Sequence, residues 1–274
     1  MILIKLNEDL ATKKIPWKMT RSGQNGIRAN KPVHSFSRAI IPPQYIQTTA
    51  LIKKITLKRP VNNSKKTIGN FPFRLMVITD SNLCKGSFDK RLSDLFRSGV
   101  KAIQFREKSL PTVKVLDYAI KAGKTAAKHD SLLIINDRID IAMLSESSAI
   151  HSPGRGIPNS VIKKFIKNSI SGKSVHSVSE AKKAQKEGYD YLLFGPVFRT
   201  PAKVRYGKPQ GIQKLKEVCS AVSIPVFAVG GINPSRVSKC LHAGAYGVAG
   251  IRDFMTSNNI KNTVSTYRKV LGSL

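Results

Sequence analysis

Acidic residues are scarce in this chain: 16 Asp and Glu stand against 47 Lys and Arg, giving a formal charge of +31 over 274 residues. So basic a balance raises nucleic acid or another anionic surface as a partner. The excess, however, is spread along the whole chain and not gathered in one helix, and aromatic residues do not interleave with it as a single-strand binder requires. The charge favours an anionic small-molecule substrate without naming one, and nucleic acid is not the expected partner. A non-catalytic basic binding protein would instead show DNA affinity that falls steeply with salt.

Cysteine is also rare. Cys84, Cys219 and Cys240 have neither metal-type nor paired spacing, so they read as reduced thiols of a cytoplasmic protein, packed as small hydrophobes. No stretch reaches the roughly 20 apolar residues of a membrane helix, and no membrane partner is expected. Residues 1–70 lack sustained periodicity, carry Pro16, Pro32, Pro42, Pro43 and Pro60, and contain only Glu8 and Asp9 as acids. No secretory signal is legible there. The acid-poor composition also suits a transit peptide, but arginine is sparse and no amphipathic helix is clear. The segment reads as a basic, disordered extension, with the folded domain over 71–274.

From Phe73 the texture changes. Short apolar runs recur at Phe73–Thr79, Ala102–Phe105, Leu132–Ile135, Ala149–Ile150, Ser171–Val175, Tyr191–Phe194, Pro225–Val229 and Gly247–Ile251. Amphipathic stretches of helical length separate most of them, among them Phe88–Ser98, Val113–Lys128, Ser179–Glu187, Ile212–Ala221 and Pro234–Ala243. Continuous apolar strands alternating with helices imply a parallel sheet buried on both faces. Eight repeats in about 200 residues suit a single (β/α)8 barrel. A doubly wound open sheet is the alternative, because periodicity does not show closure.

Polar residues cluster just after each run, where a barrel builds its active site. The second run ends Gln104-Phe105-Arg106-Glu107-Lys108, and strand alternation would aim Gln104, Arg106 and Lys108 to one side. That trio suits an anionic substrate bearing a hydrogen-bonding ring, or else a salt-bridged strand end. Asp137, after the third run, is either a Mg²⁺ ligand shared with substrate phosphates or a cap on the next helix. After the fifth run, Ser174 can donate to a phosphate oxygen and His176 can act as acid or base. Ser177 or Ser179 should cap the following helix, with Glu180 in its first turn. Gly195–Gly211 reads as a mobile lid or an ordinary solvated loop. Gly230-Gly231 follows the seventh strand, where barrels hold phosphate on backbone N–H groups.

These segments resemble the thiamine phosphate synthase and TenI superfamily. The likeness rests on Gln104–Lys108, Ile134–Asp140 (IINDRID), Ser174–Ser177 (SVHS), Phe194–Lys203 (FGPVFRTPAK), Ala228–Pro234 (AVGGINP) and Gly244–Ile251 (GAYGVAGI), in order from about Phe73 to Phe254. The resemblance implies a transferase in which an aminopyrimidine diphosphate loses pyrophosphate and a thiazole phosphate nitrogen attacks the exposed methylene carbon. By position it implies that Arg106, Lys108, Asn136, Ser174 and Lys203 surround the pyrophosphate, that Asp137 holds Mg²⁺, and that Gln104 lies near the pyrimidine. Thr200, Gly231 and Ile251 match the thiazole phosphate pocket, and a homo-oligomer is compatible with the family.

Three positions depart from that pattern. The synthases usually continue the fourth strand as HLGQ-x-D, whose Asp is a second Mg²⁺ ligand; here the chain reads His151-Ser152-Pro153-Gly154-Arg155-Gly156, with Gly156 at the carboxylate's place. Ala202 stands where a Thr is common, and Arg252 where a small residue is. TenI-like thiazole tautomerases also tend to lack the carboxylate, and for them His176 is the candidate acid–base. Both reactions stay open on sequence, with the synthase favoured because Gln104, Arg106, Lys108, Asn136, Asp137 and Lys203 are all retained.

Overall fold

The apolar runs become strands that pair, in chain order, with their neighbours. The computed structural model describes residues 71–200 and 209–272. Its strands are β1 (Leu75–Ile78), β2 (Ala102–Phe105), β3 (Leu132–Asn136), β4 (Ala149–Ser152), β5 (Ile170–Val175), β6 (Tyr191–Phe194), β7 (Val226–Val229) and β8 (Gly247–Gly250). All pairings are parallel, and β1 pairs with β8 through Met76 opposite Ala249. That last pairing closes the barrel and removes the open-sheet alternative.

Closure gives each strand two buried faces, which is why the runs are continuously apolar rather than alternating. Met76, Ile134, Tyr191, Phe227 and Ala249 fill the interior, while Val77, Ile103, Ile135, Phe194 and Val248 pack outward against the helices. Phe71 and Phe73 also enter the interior cluster, and Tyr246 Oη donates to the Phe71 carbonyl at 2.7 Å. The barrel therefore takes in Phe71, two residues before the change of texture in the sequence. Burying each of these rings contributes roughly 1.5–3 kcal/mol.

The helices are α1 (Phe88–Arg97), α2 (Thr112–Lys128), α3 (Ile139–Leu144), α4 (Asn159–Phe165), α5 (Val178–Lys186), α6 (Gly211–Ala221), α7 (Pro234–His242), α8 (Arg252–Met255) and α9 (Ile260–Gly272). The short α3 and α4 offer too few turns to show a period in sequence. Ser177 caps α5 as expected, its Oγ accepting from Glu180 N at 3.1 Å. The Glu180 carboxylate accepts in turn from His176 N at 2.7 Å, so the chain is fixed where it leaves β5. The three cysteines are free thiols, and burial pushes those of Cys219 and Cys240 up to about 12, which keeps them protonated and unreactive. No helix among the described residues is long and apolar enough to cross a membrane.

Candidate active site at the carboxyl end of the barrel

Parallel strands leave their carboxyl ends at one mouth, and the inward-facing residues there are polar. On β2, Gln104 is buried and donates through Nε2 to Asn136 Oδ1 of β3 at 3.3 Å. Its Oε1 is buried and has no hydrogen-bond donor among the described residues. A buried acceptor left alone costs about 1–3 kcal/mol, which a ligand N–H would recover.

Strand pairing ends at Phe105, so alternation does not carry Lys108 along with Gln104 and Arg106. Arg106 is half-buried at the mouth, and Lys108 stands exposed in a bend beyond it. Glu107 ties this corner down: its carboxylate accepts from Thr79 Oγ1 at 2.5 Å and from Ser81 N at 2.9 Å. The alternative of a salt-bridged strand end is thus absent among the described residues, because Glu107 turns to neutral donors on the β1 loop.

Asp137 leaves β3 with φ +65°, in the left-handed region. Asp137 N donates to the His151 carbonyl at 2.8 Å and Arg138 N to the Asn136 carbonyl at 2.8 Å, which hold the turn in place. A left-handed non-glycine residue costs of order 1–3 kcal/mol and tends to mark functional sites. The capping alternative does not occur. Arg138 is the N-cap of α3 and no side chain caps it. Among the described residues the Asp137 carboxylate makes no hydrogen bond or ion pair, while its neighbour Arg138 is committed to Asp140.

Sequence reasoning ended the fourth run at Ile150, but β4 continues to Ser152, and this brings His151 into the interior. His151 is buried, with Nδ1 3.0 Å from Tyr191 Oη and Nε2 2.8 Å from Ser174 Oγ. Period-two alternation from Ala149 would have found it. His151, Gly172 and Tyr191 form one row across β4, β5 and β6. Burial, and then the charges of Lys173 and Arg106, lower the His151 pKa to about 3. The unfolded chain takes up that proton near pH 6.5, so folding stability falls by about 1.4 kcal/mol per unit as pH drops from about 6.5 toward 3. His151→Gln should flatten that part of the profile. Denaturant titrations of both proteins between pH 7 and 4 check this, and parallel slopes would reject His151 as the source.

His176 is exposed on the rim, with Nδ1 2.6 Å from the Gly195 carbonyl. That bond makes Nδ1 the protonated nitrogen and leaves Nε2 as the acceptor. The loop after β6 is sewn to the loop after β7: Val197 N donates to the Val229 carbonyl at 2.9 Å and Phe198 N to the Gly230 carbonyl at 3.0 Å. Lys203, Ala202 and the middle of the Gly195–Gly211 loop fall at 201–208, outside the described residues. Thr200 is described and half-buried.

Gly230 and Gly231 have φ of +98° and +62°. A Cβ on Gly230 would lie 2.6 Å from Pro196 Cα, and one on Gly231 2.6 Å from the Arg199 carbonyl oxygen. The glycines are therefore required by loop-on-loop packing as well as by any approaching phosphate. Arg236 closes the corner, donating to the Gly231 carbonyl at 2.6 Å with its guanidinium 4.7 Å from the Phe198 ring. Val229 pairs with Ala249, so Gly231 and Ile251 leave neighbouring strands at the same level. Neither N–H has an acceptor among the described residues.

At Gly156 the structure accounts for the missing carboxylate. Gly156 N donates to the Pro153 carbonyl at 2.8 Å in a tight turn. A Cβ there would meet Pro153 Cδ at 2.5 Å and Ser152 Oγ at 2.6 Å. Arg155 beside it is exposed. At the mouth Glu107 and Asp80 are committed to neutral donors, which leaves Asp137 as a carboxylate without a hydrogen-bond or ion-pair partner among the described residues. This suits a Mg²⁺ ion that arrives coordinated to substrate phosphates rather than one caged by protein. No cluster of three or more His, Cys, Asp or Glu that could hold a metal occurs among the described residues.

Comparison with known proteins agrees with this architecture. The family model described as thiamine monophosphate synthase matches residues 75–254. A thiamine-phosphate synthase of Caldanaerobacter subterraneus subsp. tengcongensis is 33% identical over 201 residues, covering 72% of this chain and 94% of that protein. A thiamine-phosphate synthase of Chloroflexus aurantiacus is 31% identical over 189 residues, covering 69% and 88%. The solved structure of a thiamine phosphate pyrophosphorylase from Pyrococcus furiosus is similar at a TM-score of 0.66 and 31% identity, covering 73% of this chain and 95% of that one.

Proposed function

This chain belongs to the thiamine monophosphate synthase family, and we propose that it condenses an aminopyrimidine diphosphate with a thiazole phosphate, releasing pyrophosphate and forming thiamine phosphate. The observation that carries the reading is Asp137: in a chain so rich in cations, the carboxylate at the barrel mouth has no ion-pair partner among the described residues. A tautomerase acting without pyrophosphate has no use for it.

In the proposed reaction the methylene C–O bond breaks and its electron pair leaves with the pyrophosphate. The thiazole nitrogen lone pair then forms the new C–N bond, so no general base is needed at that step. Charge builds on the leaving group, and preorganised cations and donors are what such a step requires. Arg106, Lys108 and Lys203 would supply positive charge, and Asn136 and Ser174 would donate hydrogen bonds. Asp137 would hold Mg²⁺, whose chemistry when bound is to neutralise phosphate oxygens as a Lewis acid. The unmatched Oε1 of Gln104 suits the ring amino group of the pyrimidine. Gly231, Ile251 and Thr200 would receive the thiazole phosphate, with unpaired N–H groups of the first two as donors.

Incubation of the protein with both substrates and Mg²⁺ should release pyrophosphate and thiamine phosphate in equal amounts. No release, with proton exchange on a thiazole carboxylate phosphate intact, would replace this reading with the TenI-like one and give His176 Nε2 the proton. A second expectation concerns Gly156→Asp. The turn has no room for the side chain, so the variant should lose about 1–3 kcal/mol of stability without tightening its Mg²⁺ requirement. Thermal melts and a Mg²⁺ titration of turnover check both halves, and a lowered Mg²⁺ requirement would contradict the steric argument.

A further inference from the structure

The row His151, Gly172, Tyr191 leads to a role for residues that touch no substrate. The side chain missing at Gly172 leaves the space that the Tyr191 ring occupies: a Cβ there would fall 2.0 Å from the ring's Cζ. The ring therefore crosses β5 and brings its hydroxyl to His151 Nδ1 on β4. The other face of the imidazole meets Ser174 Oγ, one step nearer the mouth.

Two proton arrangements fit these distances. In one, Ser174 donates to Nε2 and Nδ1–H donates to the tyrosine oxygen. The Tyr191 hydrogen is then left without an acceptor, in a pocket walled by Phe71, Phe73 and Phe227. In the other, Tyr191 donates to Nδ1, Nε2–H donates to Ser174 Oγ, and every buried donor is matched. His151 provides Tyr191 with its one hydrogen bond among the described residues. An orphaned buried donor is costly enough to bias the ratio by about tenfold or more, so the second arrangement wins.

We infer that His151 is a positioning residue: relayed from Tyr191 through its Nε2–H tautomer, it occupies a lone pair of Ser174 and turns the serine O–H outward as a hydrogen-bond donor to the substrate diphosphate. This rests on the synthase reading of Ser174, and it deepens that reading. Without the relay the same hydroxyl is free to point its hydrogen at the imidazole and its lone pairs at an anion, the wrong polarity for stabilising a leaving pyrophosphate. Catalytic contact belongs to Ser174, and the orientation to His151 and Tyr191.

The first test uses the full chain without substrate. In ¹⁵N-histidine-labelled protein, His151 should show a protonated, pyrrole-type Nε2 and a bare, pyridine-type Nδ1. The reverse assignment, or an even mixture of the two, would overturn the relay. The second test is kinetic. His151→Leu should lower kcat about as far as Ser174→Ala, leave KM for the thiazole phosphate unchanged, and add nothing in the double variant. His151→Gln, whose amide can still donate to Ser174, should recover part of the loss. Multiplicative losses in the double variant would mean that His151 acts independently of Ser174 and would refute the inference. Should His151→Leu fail to fold, the labelled wild-type protein decides the matter. If the wild-type protein releases no pyrophosphate, the synthase reading falls while the nitrogen assignment still judges the relay.

Discussion

Asp137→Asn is expected to lower kcat/KM by about 100-fold or more while leaving the fold intact. The loss corresponds to about 3 kcal/mol, the scale on which a single preorganised group stabilises developing charge. Asparagine removes the negative charge that would hold Mg²⁺ and keeps the shape. It also keeps the backbone, since Asn and Asp are the non-glycine residues most at home at a φ of +65°. The melting temperature should therefore stay within a few degrees of the wild type. Asp137→Ala would be a poorer probe, because alanine carries a left-handed penalty of roughly 1–2 kcal/mol and confounds stability with function. Steady-state pyrophosphate release at saturating Mg²⁺ is the measurement. Turnover near the wild-type level would remove Asp137 from the metal site, and with it the observation on which the synthase reading depends.

The second large effect is at Gly172, and it is expected to appear first in stability. Gly172→Ala places a methyl 2.0 Å from Tyr191 Cζ and 2.4 Å from its two Cε atoms. The ring cannot stay. Moving it breaks the bond to His151 and disturbs edge-on contacts with Phe73 and Phe227. Overpacking of this kind costs about 1–3 kcal/mol, and a buried hydrogen bond lost on one side a further 1–3. The sum is a large part of the 5–15 kcal/mol that holds a typical domain together. A fall in melting temperature of roughly 10 °C is expected at this chain length, together with reduced turnover. Adding Tyr191→Val withdraws the ring and should restore part of the stability but none of the activity. If the double variant melts no higher than Gly172→Ala, the cost lies in the backbone of β5 and not in the ring.

Much of this was legible in the chain itself. The runs Ala102–Phe105 and Tyr191–Phe194 coincide with β2 and β6, because strands buried on both sides cannot afford the polar alternation that blurs edge strands. Ser177 and Glu180 announced the start of α5 by local chemistry alone. Gln104, Asn136, Asp137 and Ser174 were legible as mouth residues because strand ends carry the polar residues of a barrel. The chain misled where local reading met a tertiary constraint. The fourth apolar run stopped at Ile150, one residue short of His151, which β4 carries inward. Lys108 seemed aligned with Arg106 only while β2 was imagined to continue beyond Phe105. That Gly156 lacks the carboxylate was plain in the chain, but that the turn it closes has no room for a side chain was not.

The sequence by itself determined the number of strands, their spacing and their two-sided burial, together with the side chains gathered at the mouth, because these follow from periodicities of two and 3.6 residues within short windows. The scarcity of acids, too, was a sequence property, and it is what makes an Asp137 without an ion-pair partner among the described residues informative. Tertiary structure alone decided that the sheet closes, through Met76 and Ala249. It alone decided that an absent side chain at Gly172 admits a tyrosine 40 residues along the chain from the histidine it meets. Contacts of that range depend on where strands lie side by side, and no local pattern encodes that.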